Sequence, residues 1–221
     1  MRWLRDNGFA LFFFALLLLS VAFQSVTGWH VYNHNAEAHG SETITWARYL
    51  VSSHFGQAVL ENWQSEYLQF SLLILAAIWL IQKGSTETKE EPGLESDQKQ
   101  RLGRWASPGA PKWARAGGWR RAIYSWSLLI VMGAIWIASW LGQSFTGWTE
   151  FNAEQRDHDE PTIAWAEYLA TAEFWEDTLQ NWQSEFLAVG SMAIFSVFLR
   201  ARGSAESKPV GTPHESTGES G

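Results

Sequence analysis

Two five-residue words carry a carboxylate in the same setting. Glu66 closes "NWQSE" at 62–66, Glu185 closes the same letters at 181–185, and each word stands directly before an apolar run. A carboxylate carried into hydrocarbon costs a few kcal/mol unless it is protonated, ion-bound or paired, so this placement points to proton or cation handling. Gln64 and Ser65, with Gln183 and Ser184, flank the two acids. Gln24 and Ser25, with Gln143 and Ser144, close the apolar runs that come before. These ten residues form a candidate polar layer. A purely structural reading stands beside it: amides and hydroxyls hydrogen-bond between helices at about 0.6 kcal/mol each, with the acids near enough to water to stay charged.

A second group of chemically able residues lies in "HVYNHNAEAH", which holds His30, His34 and His39. His39 has a counterpart in His158, and the nearby Glu37, Asp157 and Asp159 would complete a donor set for zinc or copper. The spacing matches no established metal motif, and a pH-sensing imidazole pair or plainly solvated loop histidines fit equally well. Other chemistry is excluded. The chain has no Cys, which removes disulfides, thiolate nucleophiles and haem attachment. It has no phosphate-cradling Gly-rich loop, nucleophile elbow or paired-His metalloprotease motif. No catalysis and no cofactor are expected.

The elements that must position these residues are four apolar blocks: 9–26, 68–81, 123–141 and 186–199. The first and third can cross a ~30 Å hydrocarbon layer as helices, and the second and fourth reach that length when the NWQSE words are included. A charged start (Arg2, Arg5) before the first block also outlines a signal peptide, but the block is long for one and no small-x-small cleavage site follows. A duplication argues further for a retained helix. At a constant offset, Gln24 falls on Gln143, Trp63 on Trp182 and Glu66 on Glu185, and about a third of the pairs between 2–89 and 121–208 are identical.

Charge sets the orientation. All Lys and Arg except Arg48 and Arg156 lie in the N-terminus, the central loop and the tail, so those segments are expected on the cytoplasmic side of the cell's inner membrane. The expected architecture is an all-α membrane protein with four transmembrane helices from two parallel tandem repeats. Repeat 1 covers 2–89, with spans 8–27 and 63–82 around an outer connector, 28–62. Repeat 2 covers 121–208, with spans 123–146 and 180–199 around a connector, 147–181. Each connector carries a short amphipathic helix, near Ile44 to Val51 and Ile163 to Ala170. Trp29, Trp63, Trp148 and Trp182 are expected to form an aromatic belt above the polar layer.

The central loop, 84–120, divides by composition. Residues 84–100 and the tail 209–221 hold too little apolar surface to offset their ordering entropy and read as disordered. Arg101 to Arg121 interleaves basic residues with Trp105, Trp113 and Trp119, which suits either anionic inner-leaflet lipids or a signal that only fixes topology. Nucleic acid is not an expected partner at a net charge of −7 with no recognised motif. Whether a protein partner or a second copy binds is left open.

The GW pair after the first apolar block, the "NWQSEYL" and "NWQSEFL" words and the "RGSAESKPV" tail followed by "PH" resemble an uncharacterised family of bacterial four-span integral membrane proteins. The resemblance covers the ordered chain. It implies a multi-pass membrane protein with this repeat and supplies no activity. Two function classes follow: a small transporter, channel or ion-responsive protein working through Glu66 and Glu185, or a non-catalytic scaffold whose acidic outer face, rich in Asp and Glu from 150 to 185, binds a partner.

Overall fold

The computed structural model describes residues 2–219 and is all-helical: among the described residues there is no strand. The helices are α1 (Arg2–Asp6), α2 (Gly8–Ala38), α3 (Trp46–Tyr49), α4 (Ser53–Trp79), α5 (Lys112–Arg115), α6 (Gly118–Ser125), α7 (Ser127–Asp157), α8 (Trp165–Tyr168) and α9 (Ala172–Phe198). Two of them, α2 and α7, are long and apolar enough to cross a membrane. At 31 residues each they extend about 46 Å, well beyond a hydrocarbon layer. The span ends read from hydropathy, 27 and 146, are therefore not helix ends: both helices run on for three turns of polar residues.

Local sequence explains the stops and starts. Gly40, with φ +72, ends α2, and the Ser41 amide returns to the Ala36 carbonyl at 2.8 Å. Asp159, with φ +58, does the same after α7, where the Glu160 amide reaches the Gln155 carbonyl at 2.7 Å. Ser52 Oγ accepts the Phe55 amide at the head of α4, and Thr171 Oγ1 accepts the Phe174 amide at the head of α9. Ser52 and Thr171 therefore cap the two helices. The connector helices α3 and α8 are single turns only.

The chain divides into two compact units, Met1–Leu60 with Gly142–Leu169, and Glu61–Leu141 with Ala170–Gly221. In the first, Trp29 Nε1 donates to the Ile44 carbonyl at 2.6 Å, Asn33 bonds both the amide and the carbonyl of Ile44, and Trp46 Nε1 donates to Ser25 Oγ. The same four bonds join Trp148 and Asn152 to Ile163, and Trp165 to Ser144. A Cβ at Gly28 would run into Tyr49 Oη, and one at Gly147 into Tyr168 Oη; both tyrosines are buried. The GW words thus fasten each connector to its long helix. Gly56, an oddity in a first helical turn, lets α4 approach Thr146, where a Cβ would lie 3.0 Å from Cγ2.

The second unit joins α4 and α9 through small and polar residues. Gln64, Ser65, Leu68 and Ser71 are buried on α4, and Phe174, Thr178, Ser196 and Val197 on α9. Most large apolar side chains of the molecule point outward: Phe9 is 80 % exposed, Phe23 72 % and Leu18 70 %. The segments 84–100 and 209–219, too polar by composition to order themselves, nevertheless carry tertiary bonds. The buried Lys208 ammonium donates to the carbonyls of Gly84, His214, Ser216 and Pro213 at 2.6–3.3 Å. The Gly84 amide reaches Thr217 Oγ1, and Ser85 Oγ lies 3.1 Å from Ser196 Oγ. One buried cation compensates there for the missing apolar surface.

Candidate functional site

The ten polar-layer residues do not share one environment. Ser25, Gln143 and Ser144 are buried in the first unit, where the two serines receive Trp46 and Trp165, and Gln24 is half-buried. Gln143 Oε1 has no hydrogen-bond partner among the described residues. In the second unit Gln64 and Ser65 are buried, whereas Gln183 and Ser184 are exposed, and Ser184 Oγ turns back to the Asn181 carbonyl. The two copies of the word therefore enter their surroundings at different rotations.

What α4 and α9 bring together is a smaller site. Trp182 Nε1 donates to Gln64 Oε1 at 2.8 Å, and Ser65 Oγ lies 3.3 Å from Glu185 Oε1 while also reaching the Asn62 carbonyl at 3.0 Å. Ser65 has one proton to share between these acceptors, so Glu185 is only partly satisfied. Glu66 is exposed on α4 and within electrostatic reach of Glu185, and no ion pair described in the molecule involves either acid. Gln64 Nε2 is buried without a partner. The arrangement is a pair of carboxylates on neighbouring helices, edged by one amide and one hydroxyl. None of the three described cavities is lined by Glu66 or Glu185.

Of the expected belt, Trp63 is 41 % exposed. Trp29, Trp148 and Trp182 are half-buried, with their indole N–H groups committed to Ile44, Ile163 and Gln64. His39 Nδ1 lies 2.8 Å from the Asn35 carbonyl one turn back, and His30, His34 and His158 are exposed. Among the described residues no group of three or more His, Asp or Glu is placed to hold a metal ion.

One titratable cluster escaped the sequence reading. Tyr49 Oη lies 3.2 Å from His54 Nδ1, Tyr32 meets the His54 ring edge-on at 5.4 Å, and the His54 amide donates to the Glu150 carboxylate. Burial pulls the His54 imidazole below its ordinary range. Burial also pushes the Glu150 carboxyl up, against the opposing pull of the His54 amide, and pushes the Tyr49 phenol up with help from the Glu150 charge. The fold thus favours neutral His54 and a protonated Tyr49. The available signal was Tyr49 beside a lone His after a Ser-Ser cap.

With this geometry in view, the family comparison gives one result. The chain belongs to the family described as Domain of unknown function (DUF6766). The family model matches residues 1–219. No curated protein and no solved structure matches the chain. Membership in DUF6766 carries no activity over to these residues.

Proposed function

We propose that this chain is a four-span integral membrane protein built from a tandem two-span repeat, with both termini cytoplasmic, whose working site is a proton- or cation-responsive carboxylate pair, Glu66 and Glu185. The observation that carries the reading is the pair itself: two acids within electrostatic reach of each other, no cation beside them and only a shared hydroxyl proton on Glu185. Like charges held close in an apolar medium are relieved by a shared proton or a bound cation. The outward apolar side chains and the largely polar interior support a membrane setting, because packing there relies on small and polar contacts rather than on burying oil. In this reading α4 and α9 are the second and fourth spans. The chain acts by ion movement or ion sensing, without a catalytic step.

Reconstituted into liposomes, the protein is expected to pass or respond to protons or one monovalent cation in a flux panel. Glu66→Gln and Glu185→Gln should each abolish that response while leaving folding intact, since Gln keeps shape and hydrogen-bonding capacity. Infrared difference spectra should lose a protonating carboxyl signal in the same variants. Flux or carboxyl signals that persist unchanged in the double variant would sink the proposal. A second reading rests on the acidic segment 150–185, where ten Asp and Glu stand against one Arg and no Lys: a binding face for a basic partner, which would show as salt-sensitive association and no flux.

A further inference from the structure

At the end of α4 and the start of α7 the central loop encloses a cavity of about 670 Å³. Part of its wall is apolar, from Ile78, Leu94, Leu102 and Ala114, and part is cationic, from Lys89 and Arg101. Two acids also line it, but each already has a cation: Glu95 pairs with Lys99 at 2.9 Å and Asp97 with Arg121 at 3.2 Å. Lys89 donates to the Gly93 carbonyl, and its charge also acts on the Glu95 carboxylate. Arg101 makes no side-chain hydrogen bond or ion pair among those described. The lining thus balances two acids with two cations, and Arg101 is the cation whose side chain has no described partner.

The backbone at Arg101 is the second observation. Its φ of +53 is a left-handed conformation, held by the Leu102 amide bonding the Asp97 carbonyl at 2.8 Å. Gly or Asn would sit there at ease, and a long branched cation pays for the position. The turn is closed as the one at Asp159 is, and here it leaves the Arg101 side chain on the cavity wall. The surroundings match a headgroup layer. Trp105 and Trp119 carry Arg104 and Arg120 over their faces at 4.8 and 5.5 Å, and both indoles, with Trp113, are well exposed.

We propose that this cavity binds the phosphate of an anionic phospholipid headgroup, with Arg101 and Lys89 on the phosphate and the apolar wall against the glycerol end. The proposal goes beyond the carboxylate pair and rests only on the part of that reading that puts α4 and α7 in a bilayer. The unpartnered Arg101 guanidinium suits a phosphate ester, and an apolar wall beside it selects the lipid over a free anion.

The test uses the full chain in nanodiscs of phosphatidylcholine with and without phosphatidylglycerol, read by native mass spectrometry of retained lipid. Both leaflets have one composition, so an error in orientation leaves the result unchanged, whereas a chain that does not span fails to enter the disc. Phosphatidylglycerol should be retained over phosphatidylcholine, and Lys89→Gln and Arg101→Asn should each cut that preference about fivefold. Arg101→Asn relaxes the backbone, so its loss of lipid should come with an equal or higher melting temperature. Arg101→Lys keeps the charge and should retain most of the preference. Equal retention of both lipids, or a preference untouched in the Lys89→Gln, Arg101→Asn double variant, overturns the proposal. Displacement of the lipid by millimolar inorganic phosphate would assign the cavity to a soluble anion and overturn it as well.

Discussion

His54 and Glu150 pull stability in opposite directions with pH. His54 is depressed in the fold, so its contribution is complete above its ordinary value of 6.5 and is lost as pH falls through the lower folded value. Glu150 is raised, so its contribution is complete below its ordinary 4.5 and is lost as pH rises through the higher folded value. A melting curve against pH from 4 to 8 should therefore dip between about 4.5 and 6.5, falling as Glu150 loses its contribution and recovering as His54 regains its own. Glu150→Gln should flatten the fall above 4.5 and His54→Gln the rise toward 6.5, each by a few degrees. Three parallel curves would show that neither group reports folding. Neither residue was legible in advance: the cluster depends on Glu150 standing beside His54 across 96 positions of chain, and no local pattern encodes that distance. Glu66 and Glu185 were legible, because an acid at the threshold of an apolar run is costly wherever the chain goes.

The duplicated GW words are fasteners between elements. Trp29, Asn33 and Ser25 hold Ile44 and Trp46, and Gly28 leaves room for the Tyr49 ring. Gly28→Ala forces Tyr49 out of a buried seat and should lower stability by about 1–3 kcal/mol, as overpacking does. Gly8→Ala, where a Cβ meets nothing within 4 Å, is the control and should be neutral or slightly stabilising. Equal melting temperatures for the two variants would refute the fastening role. Helices α1, α5 and most of α6 lie outside the apolar blocks and are not expected from them, but the heads of α4 and α9 could be read from sequence, since Ser52 and Thr171 are local signals. Helix lengths could not, because hydropathy ends where polar residues begin, while α2 and α7 continue helically to the αL residues Gly40 and Asp159. Helix rotation was also hidden: Gln64 is buried and Gln183 exposed although the letters around them are the same.

For the molecule as a whole, orientation is the open variable, and the absence of native Cys makes it directly measurable. Single cysteines at Ser41 or Asp157 should react with a membrane-impermeant thiol reagent on spheroplasts, and one at Ser96 should react only after lysis; the reverse pattern would invert the topology. The long-range bonds between the central loop and the tail were beyond sequence reading, because a polar tail ordered by one ammonium has no periodicity to betray it. Lys208 also bears on the order of events at the ribosome. Its ammonium bonds the Gly84 carbonyl across 124 positions, and its other acceptors, at 213–216, are made later still. At ordinary elongation rates, the turn at Gly84 waits on the order of ten seconds for its lysine. During that interval the end of α4 is an unfinished surface available to insertion factors and proteases, and closure comes as one late step when the last acceptors emerge.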